Sequence, residues 1–191
     1  TVEDDLHERF FAEPTDLDNY QAIAIGPGLG QEEITAKTTI EQLDSCYVPT
    51  VLDADALNNL SVYRNFLNRV PKQAILTPHV KELERRCSNS YERLSKAKEL
   101  SSYLQCYIVL KGAWTTIITP EGNCYFNPTG NPGMATGGSG DVLTGILLAL
   151  LAQGYPQEAA CRLGVYVHGL AGDIARERQG VISMNAADII E

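Results

Sequence analysis

Four short apolar runs, each halted by residues that cannot continue a strand, constrain this chain more than any other feature. Tyr20–Ile25 stops at Gly26-Pro27-Gly28, Thr50–Leu52 at Asp53-Ala54-Asp55, Ala74–Leu76 at Thr77-Pro78-His79, and Tyr107–Leu110 at Lys111-Gly112. Helical spacing fills much of the sequence between them. Gln31–Leu43 places Ile34, Thr38 and Leu43 near one face, and two further helical stretches lie around Val80–Cys87 and Tyr91–Leu104. Strands joined through helices can run parallel, whereas a tight turn makes an antiparallel pair. The spacing therefore predicts βαβ units and an α/β fold around a largely parallel sheet.

After Lys111 the pattern changes. Trp114–Thr119 and Cys124–Asn127 flank Pro120-Glu121-Gly122-Asn123, which reads as a hairpin with turn chemistry at its tip. A glycine-rich loop, Gly130–Gly140, then leads into a nearly all-apolar helix from Asp141 to about Gln153. A helix apolar on every side is expected to be buried, and so to be central. Gln157–Gly172 follows as another helix, with Asp173 expected to cap a short one after it. The 191 residues suit one domain. The chain opens on Thr1 with a polar leader, Thr1–Asp18, which suggests processing or a preceding segment.

Charge narrows the partners. With Lys+Arg 15 against Asp+Glu 24 the net charge is −9, which argues against a nucleic-acid or anionic-membrane binder. The longest apolar run, Ile146–Ala152, is far too short to span a bilayer. Cys46, Cys87, Cys106, Cys124 and Cys161 are odd in number and form no CxxC pair, as expected of reduced thiols in a cytoplasmic protein.

In open parallel sheets, ligands bind beyond the carboxyl ends of the strands. Here those ends carry glycines, the carboxylates Asp53 and Asp55, the imidazole of His79 and the amine of Lys111. Thr136-Gly137-Gly138-Ser139-Gly140-Asp141, directly before the apolar helix, is the strongest local signal. Glycines let backbone N–H groups approach a ligand, and a helix N-terminus adds about half a positive charge, so this is an anion hole suited to a phosphoryl group. A simple glycine turn is the plainer reading of the same residues.

Asp141 at that place could orient and deprotonate a hydroxyl attacking phosphorus. Lys111 could neutralise nucleotide phosphate or be an ordinary surface lysine. Asp53 and Asp55 could help hold Mg²⁺, with Asp55 equally explained as a helix N-cap. His79, at a strand end, favours a substrate contact; His168, on an apolar helix face, favours packing; His7 carries no signal.

Gly26-Pro27-Gly28-Leu29-Gly30, Val51-Leu52-Asp53-Ala54-Asp55-Ala56-Leu57-Asn58, Thr77-Pro78-His79, Leu110-Lys111-Gly112 and the stretch from Gly130 to Gly145 (GNPGMATGGSGDVLTG) together resemble the ADP-dependent NAD(P)H-hydrate dehydratases. That family lies within the ribokinase-like superfamily. The resemblance runs in order from about Tyr20 to the end of the chain, including Val167-His168-Gly169 and Ala171-Gly172-Asp173. It implies a three-layer ribokinase-like fold with helices on both faces of the sheet, and it implies a further strand-and-helix unit preceding the part that matches Thr1.

The implied activity is dehydration of (6S)-NAD(P)H hydrate to NAD(P)H, driven by ADP or ATP with Mg²⁺, in a protein that commonly forms a homo-oligomer. By carry-over, Gly28, His79 and Asp141 would contact the hydrated dinucleotide, with Asp141 catalytic. Lys111, Gly112, Ala113, Trp114 and Thr115, with Gly138, Ser139 and Gly140, would line the adenine nucleotide site. Val80-Lys81-Glu82 stands where the family tends to have Pro-Gly-Glu. A small-molecule kinase for a vitamin precursor and a non-catalytic nucleotide-binding module are the competing readings.

Overall fold

The short strands are almost continuous apolar runs, so most have an apolar residue for both faces of a sheet. The computed structural model describes residues 10–79 and 89–191 and arranges these strands in one six-stranded sheet of order β1-β2-β3-β4-β5-β6. The strands are β1 (Ile23–Ile25), β2 (Thr50–Leu52), β3 (Ile75–Leu76), β4 (Tyr107–Leu110), β5 (Thr116–Ile118) and β6 (Cys124–Phe126). The first four are mutually parallel; β5 and β6 add an antiparallel hairpin beyond β4. The largely parallel sheet expected from the strand spacing is what forms.

Stepwise addition of parallel strands in one direction, each through a right-handed crossover, puts all the crossover helices on one face. That face carries α1 (Glu33–Asp44), α2 (Ala54–Val62) and α3 (Ser90–Leu104), whose Leu43, Ala56, Leu60, Ala97 and Leu104 pack on Leu52, Leu76, Ile108 and Ile118. The opposite face is left to the helices that follow the hairpin, α4 (Ser139–Ala152) and α5 (Gln157–Gln179). Their Leu143, Leu147, Leu151, Ala160, Cys161 and Val165 cover Val51, Ile75, Val109 and Ile117. Adjacent strand residues such as Val51 and Leu52 thus serve opposite cores, and the molecule has helices on both sides of the sheet. A short α6 (Ala186–Ile190), closed by an Asn185–Asp188 capping box, packs against α4 and α5.

Three expectations change. β1 begins at Ile23 rather than Tyr20, because the chain is still turning there, with the Tyr20 amide donating to the Leu17 carbonyl. α5 does not stop at Gly172 but runs on to Gln179, so Asp173 is mid-helix and caps nothing. Gly172 is tolerated inside the helix because Met134 occupies the space a side chain would need: a Cβ there would lie 2.3 Å from the methionine sulfur. α4, expected to be buried all round, lies over β1 and β2 at the sheet's edge with Leu143, Leu147 and Leu151 inward and Gly145, Ala149 and Ala152 exposed. The helix expected around Val80–Cys87, and the segment holding His7, fall outside the described residues.

No helix among the described residues is long and apolar enough to cross a membrane. The four described cysteines are free, and burial pushes the Cys106 thiol up to about 12, which keeps it protonated and inert.

Leu147 has no exposed surface and joins α4 to the sheet. Leu147→Ala is expected to cost about 2–5 kcal/mol of stability through lost burial and a residual cavity, read as a lower urea midpoint.

Candidate functional site

Because β1–β4 are parallel, the residues that follow each strand emerge at the same end of the sheet. Asp53 follows β2 and sits at the N-cap of α2, yet its side chain makes no cap bond. Ala54 takes a left-handed φ of 43°, turning the chain abruptly from strand into helix. The Asp53 carboxylate instead reaches across the strand ends: Lys111 Nζ donates to its Oδ1 at 2.6 Å, and Thr144 Oγ1 of α4 donates to its Oδ2 at 2.8 Å.

Asp53 is only 1% exposed, while the Lys111 side chain keeps 19%. Burial pushes the Asp53 carboxyl up. The Lys111 charge and hydrogen bond, with the hydroxyls of Thr77 and Thr144, outweigh it and hold the group below its usual range. Asp53 is therefore ionised at neutral pH, and its hydrogen bond fixes the Lys111 amine group beside the cleft.

The glycine loop closes over that group. Gly138, at φ 86°, is the N-cap of α4 and brings no side-chain cap. The Val142 amide is the first to bond back into the helix, to Gly138, so the amides of Gly140 and Asp141 have no carbonyl behind them. A Cβ on Gly140 would lie 3.4 Å from Lys111 Nζ and 3.9 Å from Asp53 Oδ2, which places the first turn of α4 directly against the ion pair. Backbone donors, a helix N-terminus and a held ammonium group thus converge, an arrangement that favours a bound anion.

Flanking loops are held by carboxylates. Asp55, in the first turn of α2, accepts from the Gly30 amide at 3.0 Å and from Gln31 Nε2 at 2.9 Å, which pins the Gly26–Gly30 loop. Gly26 has no alternative in that loop, since a Cβ would meet the Asp53 carbonyl oxygen at 1.8 Å. Asp173 accepts from the Gly130 amide at 2.9 Å and from Asn131 Nδ2 at 3.1 Å, holding the start of the glycine loop against α5. His168 Nε2 lies 2.9 Å from the Ser139 carbonyl, an acceptor only, so Nε2 carries the proton. Burial pushes the His168 imidazole below its ordinary value, against the Ser139 hydrogen bond and aided by the Lys111 charge.

The structure thus brings together Lys111, Asp53, Gly138, Ser139, Gly140 and Asp141. Asp141 is exposed and makes no hydrogen bond or ion pair among the described residues. Gly112, Ala113 and Trp114 form an exposed turn after Lys111, where the Thr115 hydroxyl donates to the Gly112 carbonyl. Gly28 is exposed with open space around it, and exposed His79 bridges alongside Lys111 in parallel register. Asp53 and Asp55, read from the sequence as able to help hold Mg²⁺, face different partners, and among the described residues no group of three or more His, Cys, Asp or Glu side chains is placed to hold a metal ion.

Thr144 and the supporting roles of Asp173 and His168 are not expected from the sequence. Thr144 had a visible signal: it is the one hydroxyl in the apolar run after Asp141, and a buried polar group needs a partner.

Comparison with known proteins adds to this geometry. The family model described as NAD(P)H-hydrate dehydratase matches residues 3–191. The "Bifunctional NAD(P)H-hydrate repair enzyme Nnr" of Thermofilum pendens is 45% identical over 83% of this chain, covering 31% of that protein. A crystal structure of ADP/ATP-dependent NAD(P)H-hydrate dehydratase from Bacillus subtilis, co-crystallised with ATP/Mg²⁺ and soaked with CoA, superposes with a TM-score of 0.78 at 35% identity, over 93% of this chain and 66% of that one. A ribokinase-like superfamily protein from Enterococcus faecalis gives a TM-score of 0.75 at 31% identity, over 89% and 60%. The chain therefore has the ribokinase-like fold and spans about a third to two thirds of the length of these relatives.

Two outcomes follow from the site's electrostatics. Lys111→Met leaves the Asp53 carboxylate buried and unpaired, and is expected to lower stability by about 3 kcal/mol, measured by denaturant titration. For His168 the unfolded chain takes up its proton first as pH falls through about 6.5, so folding stability contributed by the neutral ring is lost below that pH. His168→Gln is expected to flatten the fall in thermal midpoint between about pH 7 and pH 5.

Proposed function

The chain belongs to the NAD(P)H-hydrate dehydratase family, and from that premise we propose that it dehydrates (6S)-NAD(P)H hydrate to NAD(P)H at the expense of ADP or ATP. One observation carries the proposal: the uncapped first turn of α4, with Asp141 exposed on it, abuts an ammonium group held by a buried carboxylate. That arrangement suits transfer of a phosphoryl group to a hydroxyl.

Hydroxide leaves a saturated ring carbon poorly, and phosphate leaves well. The bound nucleotide supplies the phosphoryl group. Asp141 orients the ring hydroxyl and takes its proton as the oxygen attacks phosphorus. The amides at the start of α4 and the Lys111 ammonium stabilise charge on the phosphoryl oxygens. The ring nitrogen's lone pair then expels phosphate, and loss of a proton from the neighbouring carbon restores the dihydropyridine.

Gly28 and His79 lie at the ends of β1 and β3, suited to the dinucleotide. Gly112, Ala113, Trp114 and Thr115, with Gly138, Ser139 and Gly140, suit the adenine nucleotide, and exposed Trp114 offers a stacking surface. The donor set fits Mg²⁺ that is held mainly by nucleotide phosphate oxygens, because both Asp53 oxygens already have partners and Asp55 holds the Gly30 loop. The same reading makes the protein cytoplasmic and homo-oligomeric, with small-molecule partners only.

The test is incubation with hydrated NADH and ADP or ATP plus Mg²⁺, following recovery of dihydronicotinamide absorbance. Recovery that needs the nucleotide supports the proposal; phosphorylation of a vitamin alcohol with no NADH recovered overturns it. Asp141→Asn is expected to lower turnover at least about 100-fold while nucleotide binding is retained. Undiminished turnover would remove Asp141 from the reaction.

A further inference from the structure

We propose that His168 is a positioning residue for the phosphoryl site, acting through the Ser139–Gly140 peptide, and that it takes up a proton when an anion binds there. The proposal rests on the anion-binding part of the function above and not on the dehydration step. His168, on α5, donates from Nε2 to the Ser139 carbonyl at the start of α4, at 2.9 Å. That carbonyl and the Gly140 amide belong to one planar trans peptide and point in opposite directions. The Gly140 amide has no carbonyl partner, and Gly140 lies against the Asp53–Lys111 pair. His168 therefore backs a peptide whose far side is offered to an anion. A donor on the carbonyl polarises the peptide and strengthens the N–H beyond it.

An imidazole can change its charge where an amide donor cannot. The charged or titratable groups on the elements around it are Lys111 after β4, Asp53 after β2, His79 after β3, Asp141 on α4, Asp173 on α5 and Asp188 on α6. Asp53 is bonded to Lys111 and Thr144, Asp173 to Gly130 and Asn131, and Asp188 to Gln179 and the Asn185 amide. Burial first, and the Lys111 charge with it, hold the ring below its ordinary value and so neutral at pH 7. An anion at the Gly140 amide offsets the Lys111 charge. The ring then gains a proton at Nδ1, while Nε2 keeps its own on the Ser139 carbonyl. The resulting charge-assisted bond is shorter and stronger, and it polarises the Gly140 peptide further. A ring that only filled space would not titrate with the ligand.

Sulfate is the probe, because it resembles a phosphoryl group and does not itself titrate near neutral pH. The ring signals of the three histidines are followed by NMR, His168 being the one lost in His168→Gln. Saturating sulfate is expected to raise the His168 midpoint by about 0.5 pH unit or more and to move the Gly140 amide proton downfield. By linkage, sulfate is expected to bind tighter at about pH 5 than at about pH 8, with about 2-fold or more of that gain lost in His168→Gln. The comparison with His168→Gln removes any contribution from His79, which both proteins carry. His168→Leu, which has no donor for Ser139, is expected to shrink the Gly140 shift even at the higher pH, and His168→Gln to restore part of it. A His168 midpoint unmoved by bound sulfate, or an equal Gly140 shift in a folded His168→Leu, overturns the proposal. Sulfate that leaves the Gly140 amide unmoved overturns it too. Should His168→Leu misfold, the parent protein's own titration decides. A chain that passes these tests yet recovers no NADH keeps this proposal and loses the dehydratase reading.

Discussion

The Asp53–Lys111 ion pair is the interaction on which the rest of the site depends. A carboxylate at the end of a central strand, nearly without solvent, is costly unless it is paired and hydrogen-bonded. Here Lys111 from the next-but-one strand and Thr144 from the opposite helical layer supply both needs. One buried charge therefore fixes β2, β4 and α4 relative to one another. It also presents an ammonium group at the cleft without the entropy loss of ordering a free lysine on binding. The same group that stabilises the ion pair is the one an anion would meet.

Around that pair, loops that need glycine for access are held by side chains behind them. Asp55 holds the loop after β1, Asp173 the start of the glycine loop, and His168 the first turn of α4. Each of these bonds ends on a backbone group within a few residues of the exposed glycines. The division of labour is physical: glycines admit a ligand to the main chain, and remote carboxylate or imidazole groups keep that main chain still.

Much of this was legible in the sequence. Strand ends were readable because Gly-Pro-Gly, Asp-Ala-Asp and Thr-Pro-His interrupt strand pairing chemically, and the glycine loop before an apolar helix was readable from composition alone. What could not be read depends on tertiary partners. Gly172 looks like a helix end until Met134 is seen filling its missing side chain. The apolar ring of α4 suggests complete burial, yet the helix lies over the edge of the sheet and one side stays open. Asp53 and Asp55 look alike in sequence, two positions apart. One points across the strand ends and the other back to the preceding loop, because they leave opposite sides of a sharp turn at Ala54.

The two helical layers differ in when they can be built. α1, α2 and α3 are crossovers within the parallel strands, so their core assembles from local contacts as those strands pair. The covering of the other face by α4 and α5 waits for residues made much later: Thr144 lies 91 positions after Asp53, and Lys111 lies 58 after it. During synthesis from the N-terminus, Asp53 must stay in water, or protonated, until both have left the ribosome. The anion site is thus among the later features to form, since its charge balance cannot close before Lys111 and Thr144 have both been made.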